Sequence, residues 1–512
     1  MPEQDQQAAV IAFLSRPEAF GGAGPVERID THGAIVFLAG DRAFKLKRAV
    51  RYPYLDFSTL EKRRAVCEEE LRLNRRTAPE LYLGVRSVNR LADGSLGFGD
   101  GEPVDWLVEM RRFDADALLD AVAARGGLDA GLTMRLADRI AAFHAGAEVA
   151  QGAAGAARMR AIVDGNRESM ARHPDILPAD DCARLHDRSR AALDALAPLL
   201  DARAAGGHVR HCHGDLHLAN ICLWQGEPTL FDCLEFDPEL ATIDVLYDVA
   251  FLIMDLCQRG LRGPASLVFN RYFDMTGEGA GVAALPLFLS ARAAIRAHVN
   301  AAAAGQQADP GKAEVKRGEA RAYLTAALGF LDRPEPRLIA IGGFSGTGKS
   351  SLAAALAPLA DAPPGARWLR TDVLRKRMAG LAPEEDLPAE SYTAEASERV
   401  YARLMEETRI MLGAGRSVIL DGVFAAPGER ARVREIAAEQ GVGFSGLWLE
   451  APAEVLRRRV AGRSNDPSDA TAAVVDLQLS RGPGDLGGWR RLDASGTPEE
   501  GLAAARAALE GE

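Results

Sequence analysis

Apolar and polar residues alternate through the first 110 residues in a way that predicts a small sheet with one helix. The segments AIVFLAG and RAFKLKRA flank a Gly40-Asp41 turn, which is the strongest hairpin signal in the chain. The segments VRSVNRL and VDWLVEM predict two more strands. A charged stretch from about Ser58 to Arg76 predicts the helix, with Ser58 and Thr59 as possible caps.

The pattern becomes helical from about Asp114 to Leu200, where Ala, Leu and Arg recur at helix spacing. A charged, Ala-rich helical stretch then runs to Leu331, and LDRPEPR with its two prolines separates it from the apolar run LIAIGG. We therefore predict one domain over residues 1–331, made of a small lobe (1–110) and a helical lobe (111–331). A linker over 332–337 and a second domain over 338–512 complete the chain.

Composition restricts the classes of partner. The 512 residues carry a net charge of −11, of which residues 337–512 contribute −3 and the rest −8, so neither part attracts nucleic acid or anionic lipid in general. The N-terminal residues lack the pattern of a secretory signal, and we find no uncharged apolar run of membrane-spanning length. We therefore expect a cytoplasmic protein, without nucleic acid or membrane as partner, whose six scattered cysteines are reduced core thiols.

The most informative N-terminal stretch is HCHGDLHLANICLWQGEPTLFDCLEF, residues 211–236. The segments ICLW and PTLF read as two short strands around a Gln225-Gly226 turn, which places Asn220 before one strand and Asp232 after the other. One hairpin would bring both side chains close to Asp215. Phosphoryl transfer needs such a set: a carboxylate to accept the proton of the acceptor hydroxyl, and an Asn and an Asp to hold Mg²⁺.

Two other interpretations of this stretch remain open. His213 and His217 are four residues apart next to Cys212, as in a zinc-binding helix, although the Glu of a metalloprotease and a completing CxxC pair are missing from the sequence. The stretch could also be a polar turn with core histidines.

H-G-D-L-H-x-x-N followed twelve residues later by an apolar-flanked Asp resembles the aminoglycoside phosphotransferase and choline kinase family, relatives of the protein kinases. The resemblance implies a bilobal protein-kinase-like fold, with Asp215 as catalytic base and Asn220 and Asp232 as Mg²⁺ ligands. It also implies that Asp248, in YDVAFL, braces the loop.

The same resemblance places Lys45, in RAFKLKRA, as the lysine that binds the ATP phosphates, with a glutamate of the following helix as its partner. Of the three adjacent glutamates, only Glu70 falls on the apolar face of that helix, where a carboxylate is costly unless it is paired. An exposed KLK strand is the alternative for Lys45. The glycine-rich loop of protein kinases is missing from the sequence, which offers only Gly33 there, and LVEMRR is the expected hinge to the nucleobase.

A second motif, GxxxxGK[ST], occupies residues 343–350, between the strand-like LIAIG and the helix-like SLAAALAPL. That order of strand, loop and helix is the context in which the motif binds nucleotide phosphates. The lysine would reach the β- and γ-phosphates, and the Ser350 hydroxyl would meet Mg²⁺. The predicted ATP-binding residues here are Gly343, Ser345, Gly346, Thr347, Gly348, Lys349, Ser350 and Ser351.

Four more residues extend this second site. Asp421 ends the apolar strand of RSVILDGVF, where it would reach the Mg²⁺ water shell, unless it is a simple helix cap. Asp372 follows another strand in WLRTDVLRKRMAG. Arg459 and Arg463 are four residues apart, which suits a lid that closes on ATP, although a solvated basic helix is the alternative.

The C-terminal part is similar to small P-loop kinases of the gluconate kinase, chloramphenicol phosphotransferase and zeta-toxin type. This resemblance implies a parallel sheet and Asp372 as the base or acceptor-positioning residue. The whole chain resembles bacterial proteins described as an aminoglycoside phosphotransferase fused to an AAA-type ATP-binding domain.

We therefore predict an α/β and α+β protein in which a protein-kinase-like bilobal domain precedes a P-loop NTPase domain. The predicted activity is ATP-dependent phosphorylation of a small hydroxylated metabolite, with ATP and Mg²⁺ at two sites. Two alternatives stay open: the P-loop domain is a regulatory ATPase that gates the first site, or one site is vestigial and the protein is a nucleotide-binding module. The acceptor and the oligomeric state do not follow from the sequence.

Overall fold

The computed structural model describes residues 3–510 except 23, 32, 53–54, 153, 389–390, 392 and 463–467. Its contacts divide the chain into two compact units. Unit 1 comprises Met1–Ala153 and Ala204–Leu252, and unit 2 comprises Ala154–Arg203 and Ile253–Glu512. The linker predicted at 332–337 lies within unit 2 by this division, in a stretch without helix or strand from 332 to 336, and the predicted domain boundary stays a prediction.

The strands, in chain order, are β1 (Glu27–Asp30), β2 (Ala34–Ala39), β3 (Arg42–Lys47), β4 (Arg51–Tyr52), β5 (Leu55–Asp56), β6 (Tyr82–Arg90), β7 (Leu96–Gly97), β8 (Glu102–Arg111), β9 (Val209–His211), β10 (Ile221–Trp224), β11 (Glu227–Leu230), β12 (Thr242–Asp244), β13 (Arg337–Gly343), β14 (Arg367–Arg370), β15 (Val418–Asp421), β16 (Gly443–Glu450) and β17 (Arg490–Asp493).

The α-helices, in chain order, are α1 (Glu3–Leu14), α2 (Leu60–Asn74), α3 (Leu119–Ala124), α4 (Ala130–Gly146), α5 (Gly155–Met170), α6 (Ala179–Ala205), α7 (Pro238–Ala241), α8 (Val245–Gln258), α9 (Arg262–Thr276), α10 (Leu285–Gln306), α11 (Pro310–Phe330), α12 (Lys349–Leu356), α13 (Thr371–Met378), α14 (Ala394–Gly413), α15 (Pro427–Glu439), α16 (Ala453–Ala461), α17 (Ala472–Arg481) and α18 (Pro498–Glu510). Short 3₁₀ turns connect several of them.

Unit 1 is built on a six-stranded antiparallel sheet with the strand order β1-β2-β3-β8-β6-β7. Strand alternation buries Phe37, Phe44 and Leu46 in one cluster with Val10 and Leu14 of α1. The helix predicted between the strands is α2, and the Thr59 side chain accepts the Lys62 backbone N–H as its N-cap. Unit 1 then continues with α3, α4 and the short strands β9 to β12, which surround the polar loop at residues 212–217.

Unit 2 contains a five-stranded parallel sheet with the strand order β14-β15-β13-β16-β17. Parallel strands that are covered on both faces are continuously apolar, and β13 is buried from Leu338 to Gly343. Ile341 of β13, Leu352 of α12 and Leu447 of β16 belong to its central cluster. The predicted fold class is therefore confirmed: an α+β protein-kinase-like part precedes an α/β P-loop domain with a parallel sheet.

Helix α9 covers the outer edge of β14, the first strand of this sheet. The Asn270 side chain accepts the Trp368 backbone N–H (2.7 Å) and donates to the Ala366 carbonyl oxygen (3.2 Å). The buried Arg367 guanidinium donates to Asn270 Oδ1 (3.0 Å) and pairs with Asp274. Because an unpaired strand edge exposes backbone donors and acceptors, α9 protects the sheet from association with other chains.

We expect a fragment of residues 338–512 to aggregate, because it lacks α9, which covers the edge of β14 and supplies Asp274 as the partner of Arg367. In the full chain, Asn270→Ala should lower the free energy of unfolding by about 1–3 kcal/mol, since the Trp368 N–H of β14 and the Ala366 carbonyl oxygen just before it lose their partner. Circular dichroism reports whether the fragment folds, and urea titration measures the free energy of unfolding of the variant. Arg262→Ala, on the exposed face of α9, is the control. A monomeric fragment with the urea midpoint of the full chain would show that α9 is dispensable.

All six cysteines are free thiols, and each is buried or half-buried. Burial raises the pKa of Cys67, Cys222 and Cys257 to about 12, so these thiols stay protonated and unreactive near neutral pH. This agrees with the prediction of reduced core thiols.

Among the residues that the structure describes, one helical stretch, Ala280–Gln306, is long and apolar enough by composition to cross a membrane. Within unit 2, however, 72% of its most apolar window is buried inside the protein. A core helix of a folded domain has these properties, and we assign it to the core.

Candidate active sites

The predicted catalytic loop of unit 1 lies between β9 and the β10-β11 hairpin. Asp215 occupies this loop with 41% of its side chain exposed, so its carboxylate is accessible. Asn220, in a 3₁₀ turn before β10, is largely buried, and its amide donates to Asp215 Oδ2 (2.8 Å) and to the Asp215 carbonyl oxygen (3.0 Å). The amide thereby holds the carboxylate in place and leaves its own oxygen for another ligand.

Asp232 is brought next to these residues by the predicted hairpin. The Phe231 backbone N–H donates to the Asn220 carbonyl oxygen (3.0 Å), directly before Asp232. Asp232 itself has a φ of 58°, in the left-handed region that few residues other than Gly and Asn adopt. Its backbone N–H donates to the Tyr82 hydroxyl (3.1 Å), a contact that supports this conformation.

Asp248, at the start of α8, fixes the backbone of the loop. Its two carboxylate oxygens accept the N–H groups of His213 and Gly214, each at 3.0 Å, and the His144 ring nitrogen Nε2 lies 3.0 Å from the same carboxylate. All of these groups are buried in unit 1. The geometry is that of the brace which the family resemblance implies.

The zinc interpretation of the two loop histidines finds no support in the described part of the chain. His213 Nε2 lies 2.9 Å from the Phe231 carbonyl oxygen, whereas His217 faces the Phe251 ring and the Asp215 carboxylate. The described side chains that lie close enough together to hold a metal ion are His144, Cys212 and Asp248. That set contains neither of the two histidines.

Lys45 on β3 lies between two carboxylates. Its Nζ is 2.7 Å from Glu70 Oε1 and 2.5 Å from Asp232 Oδ1. Burial alone would lower the pKa of Lys45, but the negative charges of Asp232 and Glu70 outweigh it and hold the pKa well above the usual value. The other two candidate glutamates face away: Glu68 pairs with Arg64, and Glu69 with Arg72.

Unit 1 thus brings together all five of its predicted site residues. The KLK segment is not an exposed strand, because the Lys47 side chain is only 2% exposed. The donor set suits Mg²⁺, which prefers carboxylate and amide oxygens, at Asn220 and Asp232. Lys45 supplies the positive charge that an ATP phosphate requires. Their roles toward ATP and Mg²⁺ stay predictions.

In unit 2, β13 leads into the predicted phosphate loop, and α12 begins at Lys349. Gly346 has a φ of 88°, and a Cβ there would lie 2.7 Å from the Leu456 carbonyl oxygen. Gly343 has a φ of 145°, and its Cβ would meet the Leu449 carbonyl oxygen at the same distance. Only glycine fits these positions, so the loop is a cradle of backbone N–H groups at a helix N-terminus, as phosphate binding requires.

A cavity of about 1060 Å³ opens at this loop within unit 2. Its lining includes these predicted site residues: Ser345, Gly346, Thr347, Gly348, Lys349, Ser350, Ser351, Asp372, Asp421 and Arg459. Gly343 shapes the loop behind the cavity wall and is outside this lining. Lys349 Nζ donates to the Phe344 carbonyl oxygen (3.1 Å), which keeps the ammonium group beside the loop.

Asp372 and Asp421 stand at the carboxyl ends of the neighbouring strands β14 and β15. Burial, and then the charge of Asp421, raise the pKa of Asp372. The Asp421 side chain is buried 3.8 Å from Arg370 Nε. Asp421 is the last residue of a strand and caps neither neighbouring helix, whose N-cap residues are Arg370 and Ala426, so the helix-cap alternative is wrong.

The two predicted lid arginines have different outcomes. The Arg459 guanidinium donates to the carbonyl oxygens of Ala494 (2.7 Å) and Gly496 (3.1 Å), so it holds a turn that also lines the cavity. The Arg459 guanidinium therefore contacts protein groups, whereas the side chains of a solvated basic helix would contact water. Arg463 lies outside the described residues.

Helix α17 is a part of this site that our sequence analysis missed. Gln478 Oε1 accepts the Ser345 backbone N–H of the phosphate loop (2.8 Å), and Asp469, just before the helix, pairs with the buried Lys376 (3.0 Å). Val474, Leu477, Gln478 and Arg481 all line the cavity. Their i, i+3, i+4, i+7 spacing is the signal that could have identified this face of the helix.

Comparison with known proteins finds matches to both units of the chain. The family model described as an AAA domain matches residues 338–482. Over 488 residues the chain is 33% identical to the uncharacterized protein Rv2004c of Mycobacterium tuberculosis, a match that covers 92% of this chain and 93% of Rv2004c. The Mycobacterium bovis protein Mb2027c matches to the same extent.

Three solved structures share parts of the fold. A choline/ethanolamine kinase family protein from Mesorhizobium loti is 16% identical, with a TM-score of 0.38 over 64% of this chain and 99% of that chain. A thermostable mutant of the aminoglycoside phosphotransferase APH(4)-Ia is 14% identical, with a TM-score of 0.39 over 61% of this chain and 98% of that one. A gluconokinase from Sinorhizobium meliloti is 22% identical, with a TM-score of 0.26 over 35% of this chain and 97% of its own.

Proposed function

This chain belongs to the family of the M. tuberculosis protein Rv2004c, and from that premise we propose an ATP-dependent phosphotransferase with two ATP and Mg²⁺ sites. The match spans both units, which supports a chain that carries both sites. The acceptor is a small hydroxylated metabolite. ATP-dependent phosphoryl transfer in general is supported by the AAA-domain match together with the two kinase-type folds.

In unit 1, the acceptor hydroxyl approaches Asp215, whose carboxylate takes its proton as the hydroxyl oxygen bonds to the γ-phosphorus of ATP. The bond between that phosphorus and the β,γ-bridging oxygen breaks, and ADP leaves. Asn220 keeps this carboxylate oriented through its amide. Lys45 moves from Asp232 to an ATP phosphate and remains paired with Glu70, while Asn220 and Asp232 are placed to hold Mg²⁺. Bound Mg²⁺ would neutralise phosphate charge.

In unit 2, the N–H groups of the phosphate loop and Lys349 hold the ATP phosphates, and Gln478 must release the Ser345 N–H for them. Ser350 and Asp421, which both line the cavity, would hold Mg²⁺. Asp372 accepts the proton of the second acceptor, and its raised pKa makes it a stronger base than an ordinary aspartate.

One observation carries the proposal. In each unit, a carboxylate that can accept a proton lies in the same site as a lysine that can bind phosphate, and the two sets share no residue. A purely structural ion-pair network would not require the half-buried Asp372 to lie near the buried Asp421 on the wall of a cavity formed by a phosphate loop.

The test is a screen of hydroxylated metabolites by ATP consumption, with the wild type beside Asp215→Asn and Asp372→Asn. Each variant should abolish transfer to a different acceptor. If neither variant changes any ATP-dependent transfer, the proposal is wrong.

Other outcomes of the screen correspond to the two alternatives. Loss of transfer at the unit 1 site in Lys349→Met would identify the P-loop domain as a regulatory ATPase. Calorimetry that finds one ATP bound per chain would identify one site as vestigial. We further propose a cytoplasmic location, with no nucleic acid or membrane as partner, since the protein is acidic overall.

A further inference from the structure

A second lysine lies beside the first in unit 1. Lys47 is two residues beyond Lys45 on β3, so both side chains project from the same face of the strand. Lys47 Nζ is 2.5 Å from Glu70 Oε2, the carboxylate oxygen that Lys45 does not contact. Lys47 also pairs with Glu235, and both residues are almost completely buried. None of the roles described above uses Lys47 or Glu235.

Five charged side chains therefore alternate in sign in one chain of contacts. Its order is Asp232, Lys45, Glu70, Lys47 and Glu235. The two ends are three residues apart on the segment that follows β11, so the backbone closes the chain of contacts into a ring. The ring joins β3, α2 and that segment.

The half of this ring formed by Lys47 and Glu235 carries a cost in free energy that needs an explanation. Burying Lys47 and Glu235 removes two more charges from water, and a buried ion pair adds little stability of its own. Burial raises the pKa of Glu235 above its ordinary value. Burial also acts against the charge of Lys47, but the negative charges of Glu235 and Glu70 outweigh it and raise the pKa of Lys47. Taking both charges out of water offsets much of what their pairing contributes to stability, so stability alone is a weak reason for the pair.

Binding of ATP would change the ion pairs in one half of the ring but not in the other. Lys45 and Asp232 contact each other, and both must change partners when phosphate and metal arrive. Lys45 would then divide its charge between Glu70 and a phosphate, and the segment after β11 would lose the link to β3 that Asp232 provides. Lys47 and Glu235 contact neither phosphate nor metal in this scheme, so their contacts can persist.

We propose that Lys47 and Glu235 are positioning residues, which keep Glu70 and the segment 232–235 in place while Lys45 and Asp232 turn to ATP and Mg²⁺. This inference rests on the proposed function of the unit 1 site. Lys47 acts on Lys45 through the shared carboxylate of Glu70. Glu235 acts on Asp232 through the three intervening backbone units.

The test measures binding of the ATP analogue AMPPNP with Mg²⁺ by calorimetry, in full-length protein that carries Lys349→Met so that only the unit 1 site binds nucleotide. We expect Lys47→Met to weaken binding about 10- to 100-fold, as loss of an orienting partner does in metal sites, and Lys47→Arg to restore most of it. Lys62→Met, which removes an exposed lysine of α2, should bind like the Lys349→Met parent.

If Lys47 and Glu235 only stabilised the fold, replacing them would not change how AMPPNP binding depends on the Mg²⁺ concentration. Glu235→Gln keeps the size of the side chain and can still accept a hydrogen bond from Lys47, so it carries the test if Lys47→Met fails to fold. We expect Glu235→Gln to raise the Mg²⁺ concentration required for half-maximal AMPPNP binding, because Asp232 is less well held. Urea titration of each variant reports stability separately.

The outcomes separate this inference from the proposed function. If Lys45→Met leaves AMPPNP binding unchanged, the unit 1 site itself is wrongly assigned. If Lys45→Met weakens binding but folded Lys47→Met and Glu235→Gln bind AMPPNP and Mg²⁺ like their parent, the positioning role is overturned.

Discussion

Asp215→Asn is expected to lower phosphoryl transfer at the unit 1 site by about 10²- to 10⁴-fold, the usual contribution of a general base. Asparagine keeps the shape of the side chain but cannot accept the proton of the acceptor hydroxyl. Binding of ATP should change little, because the lysine expected to bind its phosphates lies on β3 and its glutamate partner on α2, apart from the predicted catalytic loop. Initial rates with the acceptor found in the screen, measured in the Lys349→Met background, give the effect directly.

The matched control is Asp93→Asn, which alters an exposed turn aspartate whose carboxylate accepts the Ser95 hydroxyl. It should leave the rate unchanged. A rate for Asp215→Asn within a few-fold of the parent would mean that another group accepts the proton, and the assignment of the catalytic loop would have to be withdrawn.

Lys349→Met is expected to remove ATP binding at the unit 2 site. The phosphate loop supplies neutral N–H groups, so this lysine is the main full positive charge that the loop itself contributes, and we expect a loss of about 10²- to 10³-fold in transfer at this site. Calorimetry with AMPPNP and Mg²⁺ should fall from two nucleotides per chain to one. Asp372→Asn should instead keep two bound nucleotides and lose only the second transfer reaction.

Lys312→Met serves as the control for this variant, since it removes an exposed lysine in the first turn of α11. It should bind two nucleotides. If Lys349→Met still binds two nucleotides with the affinities of the wild type, the assignment of an ATP site to unit 2 is wrong.

Much of the local structure followed from short-range patterns. The Gly40-Asp41 turn joins β2 to β3, and Gln225-Gly226 joins β10 to β11, as predicted from turn chemistry and strand alternation. The choice of Glu70 among three glutamates also followed from a local rule, because helix periodicity alone decides which of them faces the sheet.

Other parts of the sites depend on contacts between residues far apart in the chain. Lys47 and Glu235 are separated by 188 positions, and no local pattern indicates that they pair. Gln478 meets Ser345 across 133 positions, and Arg459 meets backbone carbonyls where the sequence suggested a lid toward ATP. Alternating strand burial predicts which face a lysine occupies but not which carboxylate it will meet.

The sequence by itself determined the two motifs, the order of the two folds and the residues of the predicted catalytic loop, because glycine backbone freedom, turn chemistry and hydrophobic period act over a few residues. Only the tertiary structure decided which charged and polar groups contact one another. It linked two lysines through one buried glutamate, placed α17 on the phosphate loop and closed the edge of β14 with Asn270. Burial makes each of these polar contacts necessary, and burial is a property of the folded chain as a whole.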